Sequence, residues 1–128
     1  MPSPNDRKYA KSHEWVKVEG NTATVGLSEF AVHAIKDVVF LELPEAGKAF
    51  EQGKSFGVIE SVKAVFDLYA PLSGTVSSAN TAMMDDFETL TKDSYGKGWL
   101  IKLEVKGEGN PELMDAAAYD KFCAEEQH

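Results

Sequence analysis

Apolar and polar residues alternate from Glu14 to Leu27. Val16 and Val18 alternate with Lys17 and Glu19, and Ala23, Val25 and Leu27 resume the pattern beyond Gly20-Asn21. A period of two separates the faces of a strand, and Gly-Asn supplies a two-residue reversal, so the stretch predicts a hairpin. The pattern changes in "SEFAVHAI", which predicts a short helix with Ser28 as N-cap and Phe30, Ala34 and Ile35 on one face. Val38 to Leu43 is a strongly apolar strand ended by Pro44 and Gly47. "KSFGVIES" and "AVFDLYAP" predict two more strands, and a turn at Pro71 to Gly74 leads into another. Residues 79 to 98 are polar and predict a long loop with one helical turn. In "GWLIKLEV", Trp99, Ile101, Leu103 and Val105 alternate with Leu100, Lys102 and Glu104. The tail predicts a helix, with Asn110 as cap, Pro111 at its first position, and Met114, Ala118 and Phe122 stacked four apart. Many short antiparallel strands with a terminal helix make the chain mostly β, a small barrel or sandwich with helices attached.

Composition narrows this reading. The 128 residues suit one domain, expected to span 7–128 after a flexible Pro/Ser/Asn-rich terminus at 1–6. A formal charge of -8 argues against non-specific binding to nucleic acid or anionic membrane and suits partners with basic docking surfaces. The single cysteine, Cys123, cannot staple the fold and points to a reducing compartment. No apolar run approaches membrane-spanning length. The start "MPSPNDRKYAKSHEW" has no apolar signal core, so the expectation is a cytosolic chain or a mature form without its targeting segment.

The chemistry centres on Lys63. Phe56 to Ser61 and Val65 to Tyr69 both read as strands, so the chain reverses near Val62 to Ala64 and Lys63 stands at or beside the tip. The turn holds no Gly, Pro or Asn, although a type I turn tolerates these residues. A lysine bearing a prosthetic arm needs this setting: exposed to a ligase, free to swing, and mounted on a rigid base. The turn by itself does not decide the matter, because a solvated charge is the commoner role of an exposed lysine.

Five segments decide more: "YAKSHEW", "TATVGLSEFA", "DVVFLELPEAGK", "GVIESVKAVFDLYAPLSG" and "YGKGWLIKLEV". Together, and in this order, they resemble the H proteins of the glycine cleavage system from about Lys8 to the C-terminus. The resemblance implies a non-enzymatic lipoyl carrier. Its fold would be a hybrid barrel-sandwich of two small antiparallel sheets, with a short helix in the N-terminal third and a C-terminal helix. Lys63 falls on the lipoyl-lysine, with lipoic acid as cofactor. Gly47 and Gly74 fall on turn glycines flanking the lipoyl hairpin, and Glu60 on an acid presented to the lipoylating enzymes. Beside the lipoylating enzymes, the implied partners are the P, T and L proteins. The pyridoxal-phosphate-dependent P protein decarboxylates glycine and leaves an aminomethyl group on one sulfur. The T protein passes the one-carbon unit to tetrahydrofolate, and the L protein, a flavoenzyme, reoxidises the arm. A loaded arm carries an ammonium, which calls for a cleft with a carboxylate or hydroxyls. Ser12, Glu14 and Asp67 are the candidates, against the plainer reading of Glu14 and Asp67 as surface acids.

Some positions depart from the family. Phe66 stands where small residues are usual, and packs beneath the hairpin or flanks the arm's path. Ser94 replaces a common proline, so the start of that loop is expected to be less rigid. The tail "YDKFCAEEQ" resembles plant-type mitochondrial members, which implies a matrix location after transit-peptide removal and a role in photorespiration, with a bacterial cytoplasm as the alternative.

Other chemistry is poorly supported. Ser12, His13 and Glu14 are adjacent in extended chain, so neighbours face opposite ways and cannot form a hydrolytic triad. His13, His33 and His128 lack metal-ligand spacing, and no phosphate-binding Gly-rich loop is present. Trp15 and Trp99 read as core or rim aromatics. The rivals that stay open are a lipoyl or biotinyl domain of another multienzyme complex, an unmodified acidic docking module, and a small hydrolase. Val62 and Ala64 beside the lysine weigh against biotin, whose sites usually have flanking methionines.

Overall fold

The computed structural model describes residues 4–35, 37–105 and 113–126. Among the described residues nine strands form two antiparallel sheets. They are β1 (Lys8–Tyr9), β2 (Glu14–Glu19), β3 (Thr22–Leu27), β4 (Val38–Glu42), β5 (Ala49–Phe50), β6 (Ser55–Ser61), β7 (Val65–Tyr69), β8 (Gly74–Ala79) and β9 (Ile101–Glu104). The larger sheet runs β1-β2-β3-β9-β8-β5 and the smaller β4-β6-β7. Alternation on both sheets points one set of side chains inward. Ala23, Val25 and Leu27 of β3 and Ile101 and Leu103 of β9 meet Leu41, Ile59 and Leu68 of the smaller sheet in one buried core. This is the expected mostly β sandwich.

The first hairpin matches its pattern. Glu19 pairs with Thr22 across a two-residue loop, and Gly20 takes φ +62°, which a residue without Cβ adopts freely. Helix α1 (Glu29–Ile35) starts as expected, with Ser28 Oγ accepting the Ala31 N–H at 3.1 Å. Its buried residues are Ala31 and Val32, and Phe30, Ala34 and Ile35, expected on one face, all line one cleft.

The polar stretch after β8 holds more order than its composition suggests. A 3-10 turn (Thr81–Met84) is followed by helix α2 (Phe87–Lys92), whose N-cap Asp86 accepts the Thr89 N–H. The start of the next loop is tied rather than loose. Ser94 is buried and its carbonyl accepts the Trp15 indole N–H at 2.9 Å. The Tyr95 carbonyl accepts from Arg7, and the Tyr95 hydroxyl accepts the Glu29 N–H.

The C-terminal helix α3 is Ala116–Glu126, and the Asp115 carboxylate accepts the Ala118 N–H at 2.9 Å at its start. The expected cap, Asn110 with Pro111, lies outside the described residues, as does His128. Met114 precedes the helix and exchanges backbone hydrogen bonds with Tyr9. The residues turned fully inward are Ala116, Tyr119 and Cys123; of the expected stack, Met114 and Phe122 pack partly against them and Ala118 is exposed. With Tyr9 and Trp15 the inward residues form a second core that clamps the helix on β1 and β2.

Candidate functional site

Lys63 is exposed in the three-residue loop Val62-Lys63-Ala64 between β6 and β7. One side chain supplies what glycine or proline would otherwise give this turn. Ser61 Oγ accepts the Lys63 N–H at 3.3 Å and the Ala64 N–H at 3.1 Å, while the Ser61 N–H donates to the Ala64 carbonyl at 2.8 Å. The lysine therefore rises from a pinned base. Among the described residues no carboxylate pairs with its ammonium. Exposed apolar side chains stand near this end of the hairpin: Val62 at the tip, Val65 and Phe66 at the start of β7, and Val39 and Phe40 on β4, whose Phe40 pairs with Glu60.

Glu60 is half-buried on β6, between Phe40 and Val65 across the small sheet, three residues before the lysine. Gly47 and Gly74 lie elsewhere, beyond the base of the hairpin. The Gly47 N–H donates to the Val76 carbonyl at 2.8 Å, and Gly47 takes φ +96°. Gly74 pairs with Phe50, and a Cβ there would lie 2.6 Å from the Glu104 carbonyl oxygen. Gly47 supplies a positive-φ turn before β5 and Gly74 lets β8 lie close to β9, and neither shapes the tip.

Ser12, Glu14 and Asp67 come together around one open cleft of about 540 Å³. Its apolar wall includes Phe30, Ile35, Ile59, Val65 and Phe66. Phe66 is 45% exposed and flanks this cleft, so it does not pack beneath the hairpin. Glu14 is only 1% exposed. Ser12 Oγ donates to one of its carboxylate oxygens, and the Tyr69 N–H donates to the other at 3.0 Å. β7 is an edge of the small sheet, so Glu14 reaches from the large sheet to an edge strand of the small one. Burial pushes the Glu14 carboxyl up to about 7, against the lowering effect of its hydrogen bonds. Asp67 is exposed and accepts from Ser55 Oγ at 3.3 Å. A second cavity, of about 230 Å³, shares Lys11, Ser12, Glu14 and Tyr69 with the cleft, which puts Glu14 in the wall between the two.

His13 turns to other partners. Its Nδ1 lies 2.6 Å from the Tyr119 hydroxyl, so Ser12, His13 and Glu14 form no catalytic relay. Among the described residues no group of His, Cys, Asp and Glu could hold a metal ion. Sequence reasoning missed the Tyr69 N–H, Tyr119 and the turn-forming role of Ser61. Of these, only Ser61 left a local signal: a hydroxyl residue two positions before a lysine in a turn lacking glycine.

The fold and site define a class: an antiparallel β-sandwich that presents one unpaired lysine on a hairpin tip beside a carboxylate-bearing cleft. The family follows from comparison. The family model described as glycine cleavage H-protein matches residues 7–126, and the chain belongs to that family. A glycine cleavage system H protein from Symbiobacterium thermophilum is 50% identical over 123 residues, covering 95% of this chain and 96% of the relative. One from Gloeothece citriformis is 53% identical over 119 residues, covering 93% and 90%. The crystal structure of a glycine cleavage system H protein from Mycobacterium marinum superposes with a TM-score of 0.84 at 37% identity, covering 98% of this chain and 99% of that one. These relatives are bacterial and lend no support to the mitochondrial expectation. No helix among the described residues is long and apolar enough to cross a membrane.

Proposed function

We propose that the chain is a non-enzymatic carrier that holds lipoic acid as an amide on Lys63 and presents it to the P, T and L proteins of glycine cleavage, in a bacterial cytoplasm. The observation that carries this reading is the unpaired Lys63 on a tip pinned by Ser61. The surroundings fit the group: the cleft beside the hairpin has an apolar wall for a hydrocarbon arm and buried and exposed carboxylates for a cation. When bound, a lipoyl group supplies a disulfide that accepts a one-carbon amine unit and is re-formed by oxidation.

The residues divide the remaining work. Ser61 fixes the direction in which Lys63 leaves the hairpin. Glu60, close to the tip, offers an acid to a lipoylating enzyme, while Gly47 supplies the turn before β5 and Gly74 the close approach of β8 to β9. Glu14, Ser12 and Asp67 offer acceptors to an ammonium entering the cleft. An ion pair there is screened less than one on the surface, so the cleft retains and shields its guest. Ionisation of Glu14 near neutral pH puts that attraction under the control of its proton.

The test is glycine decarboxylation reconstituted with the partner proteins and Lys63→Arg. Activity is expected to fall to background while the fold is kept. Full activity in the variant would overturn the assignment.

A further inference from the structure

We propose that Tyr119, on the C-terminal helix, is a positioning residue for the cleft, its one hydroxyl pinning both walls at once. The inference rests on the cleft described above and concerns how its carboxylate is held.

The Tyr119 hydroxyl lies 2.6 Å from His13 Nδ1 and 2.6 Å from Ser28 Oγ. His13 sits between Ser12 and Glu14, two of the polar residues that line the cleft. It takes φ +76°, a conformation a β-carbon disfavours, so something must hold it there. Backbone bonds contribute: the His13 N–H donates to the Ala10 carbonyl, and the Ser28 N–H to the His13 carbonyl. The Tyr119 hydroxyl fixes the imidazole. Ser28 is the N-cap of α1, whose Phe30, Ala31 and Ile35 form the adjoining apolar wall. Two segments distant in sequence thus meet at one phenol oxygen.

That phenol is itself closely packed. Tyr119 has no exposed surface, and its ring stacks on Tyr9 with centroids 4.6 Å apart and planes 10° from parallel. Burial pushes its ionisation above the ordinary phenol range, so it remains a neutral donor and acceptor. Whichever of the three groups donates, a phenol can bridge a ring nitrogen and a hydroxyl. The His13 ring also packs against Phe30 and Phe122, with centroids 4.8 and 5.9 Å away, so removing the hydroxyl takes the polar anchor and leaves apolar contacts that do not fix the ring's hydrogen-bonding edge, which loosens the backbone that aims Glu14 at Tyr69.

The Tyr69 amide reports this directly, because its N–H donates to Glu14. The experiment is amide hydrogen exchange by NMR on the unlipoylated full chain, comparing wild type, Tyr119→Phe and Tyr9→Phe. Tyr9→Phe removes a hydroxyl from the same aromatic cluster, one that donates to the Pro4 carbonyl. In Tyr119→Phe the Tyr69 amide is expected to exchange about tenfold faster, while paired core amides in β3 and β9 keep their protection. In Tyr9→Phe the Tyr69 amide is expected to stay as in wild type. Should Tyr119→Phe not fold, His13→Asn decides, since asparagine tolerates positive φ but cannot reproduce the imidazole contact, and it should show the same Tyr69 signature. Unchanged Tyr69 exchange, or equal acceleration of every amide, would overturn the proposal. Because the chain is unlipoylated throughout, the result stands or falls independently of whether Lys63 carries an arm.

Discussion

Two hairpins in this molecule reverse the chain in different ways. The β2–β3 hairpin turns through Gly20-Asn21, and a Cβ at Gly20 would meet only open space. Its strands lie inside the large sheet, with β1 and β9 as neighbours. The β6–β7 hairpin turns through Val62-Lys63-Ala64 with no glycine, and the Ser61 hydroxyl does the holding. Its second strand is a sheet edge, and the outward Tyr69 N–H is met by Glu14 rather than by another strand. The first turn is the cheapest reversal of a buried ribbon. The second is a platform: non-glycine residues lower its freedom, side chains brace it, and its edge is coupled to the cleft.

This contrast can be broken most sharply by moving the lysine. In a Lys63→Arg background, Asn21→Lys puts a lysine at the other tip, and no lipoyl attachment to it is expected by mass spectrometry. Attachment there would mean that any tip lysine suffices.

The next effect is on Glu14. Its carboxyl is raised from 4.5 to about 7 in the folded chain. Between those values the folded state holds a proton that the unfolded state has released, so this group's contribution makes stability fall as pH rises through the window and level off above it. Glu14→Gln should remove that slope. The wild-type-minus-variant stability difference should change by about 3 kcal/mol across the window, measured by urea unfolding at several pH values. Parallel curves for the two proteins would remove the desolvated carboxylate from the account.

Glycine substitutions compare the hairpins themselves. Gly57→Ala drives a Cβ into the Glu42 carbonyl oxygen of β4 and should cost about 2 kcal/mol in urea unfolding. Gly20→Ala meets only its φ of +62° and should cost about 1 kcal/mol. The smallest effect is Ser61→Ala: about 1 kcal/mol or less, with faster exchange at the Lys63 and Ala64 amides and the β6–β7 pairing intact.

What was legible in the sequence follows the range of the forces involved. The alternation of Val16, Ala23 and Val25, the Ser28 cap, and the lysine at a break between two strands are local, and all were readable. Local signals were also overlooked, as at Asp86, whose carboxylate caps α2 in a stretch that looked merely polar. The shared face of Phe30, Ala34 and Ile35 on α1 was readable and lines the cleft, whereas the residues of α3 that turn fully inward are decided by tertiary packing. Hardest to read are the contacts that make the cleft. Glu14 is buried where the two sheets meet and is bonded by the Tyr69 N–H from the other sheet, and the His13–Tyr119–Ser28 junction joins residues far apart in the chain.

The most direct test of the central claim is intact mass with peptide mapping, after expression with and without lipoate. The account predicts a lipoyl mass increment on the peptide containing Lys63, dependent on lipoate supply. An unmodified Lys63, in cells where a known lipoyl domain is modified, would contradict it.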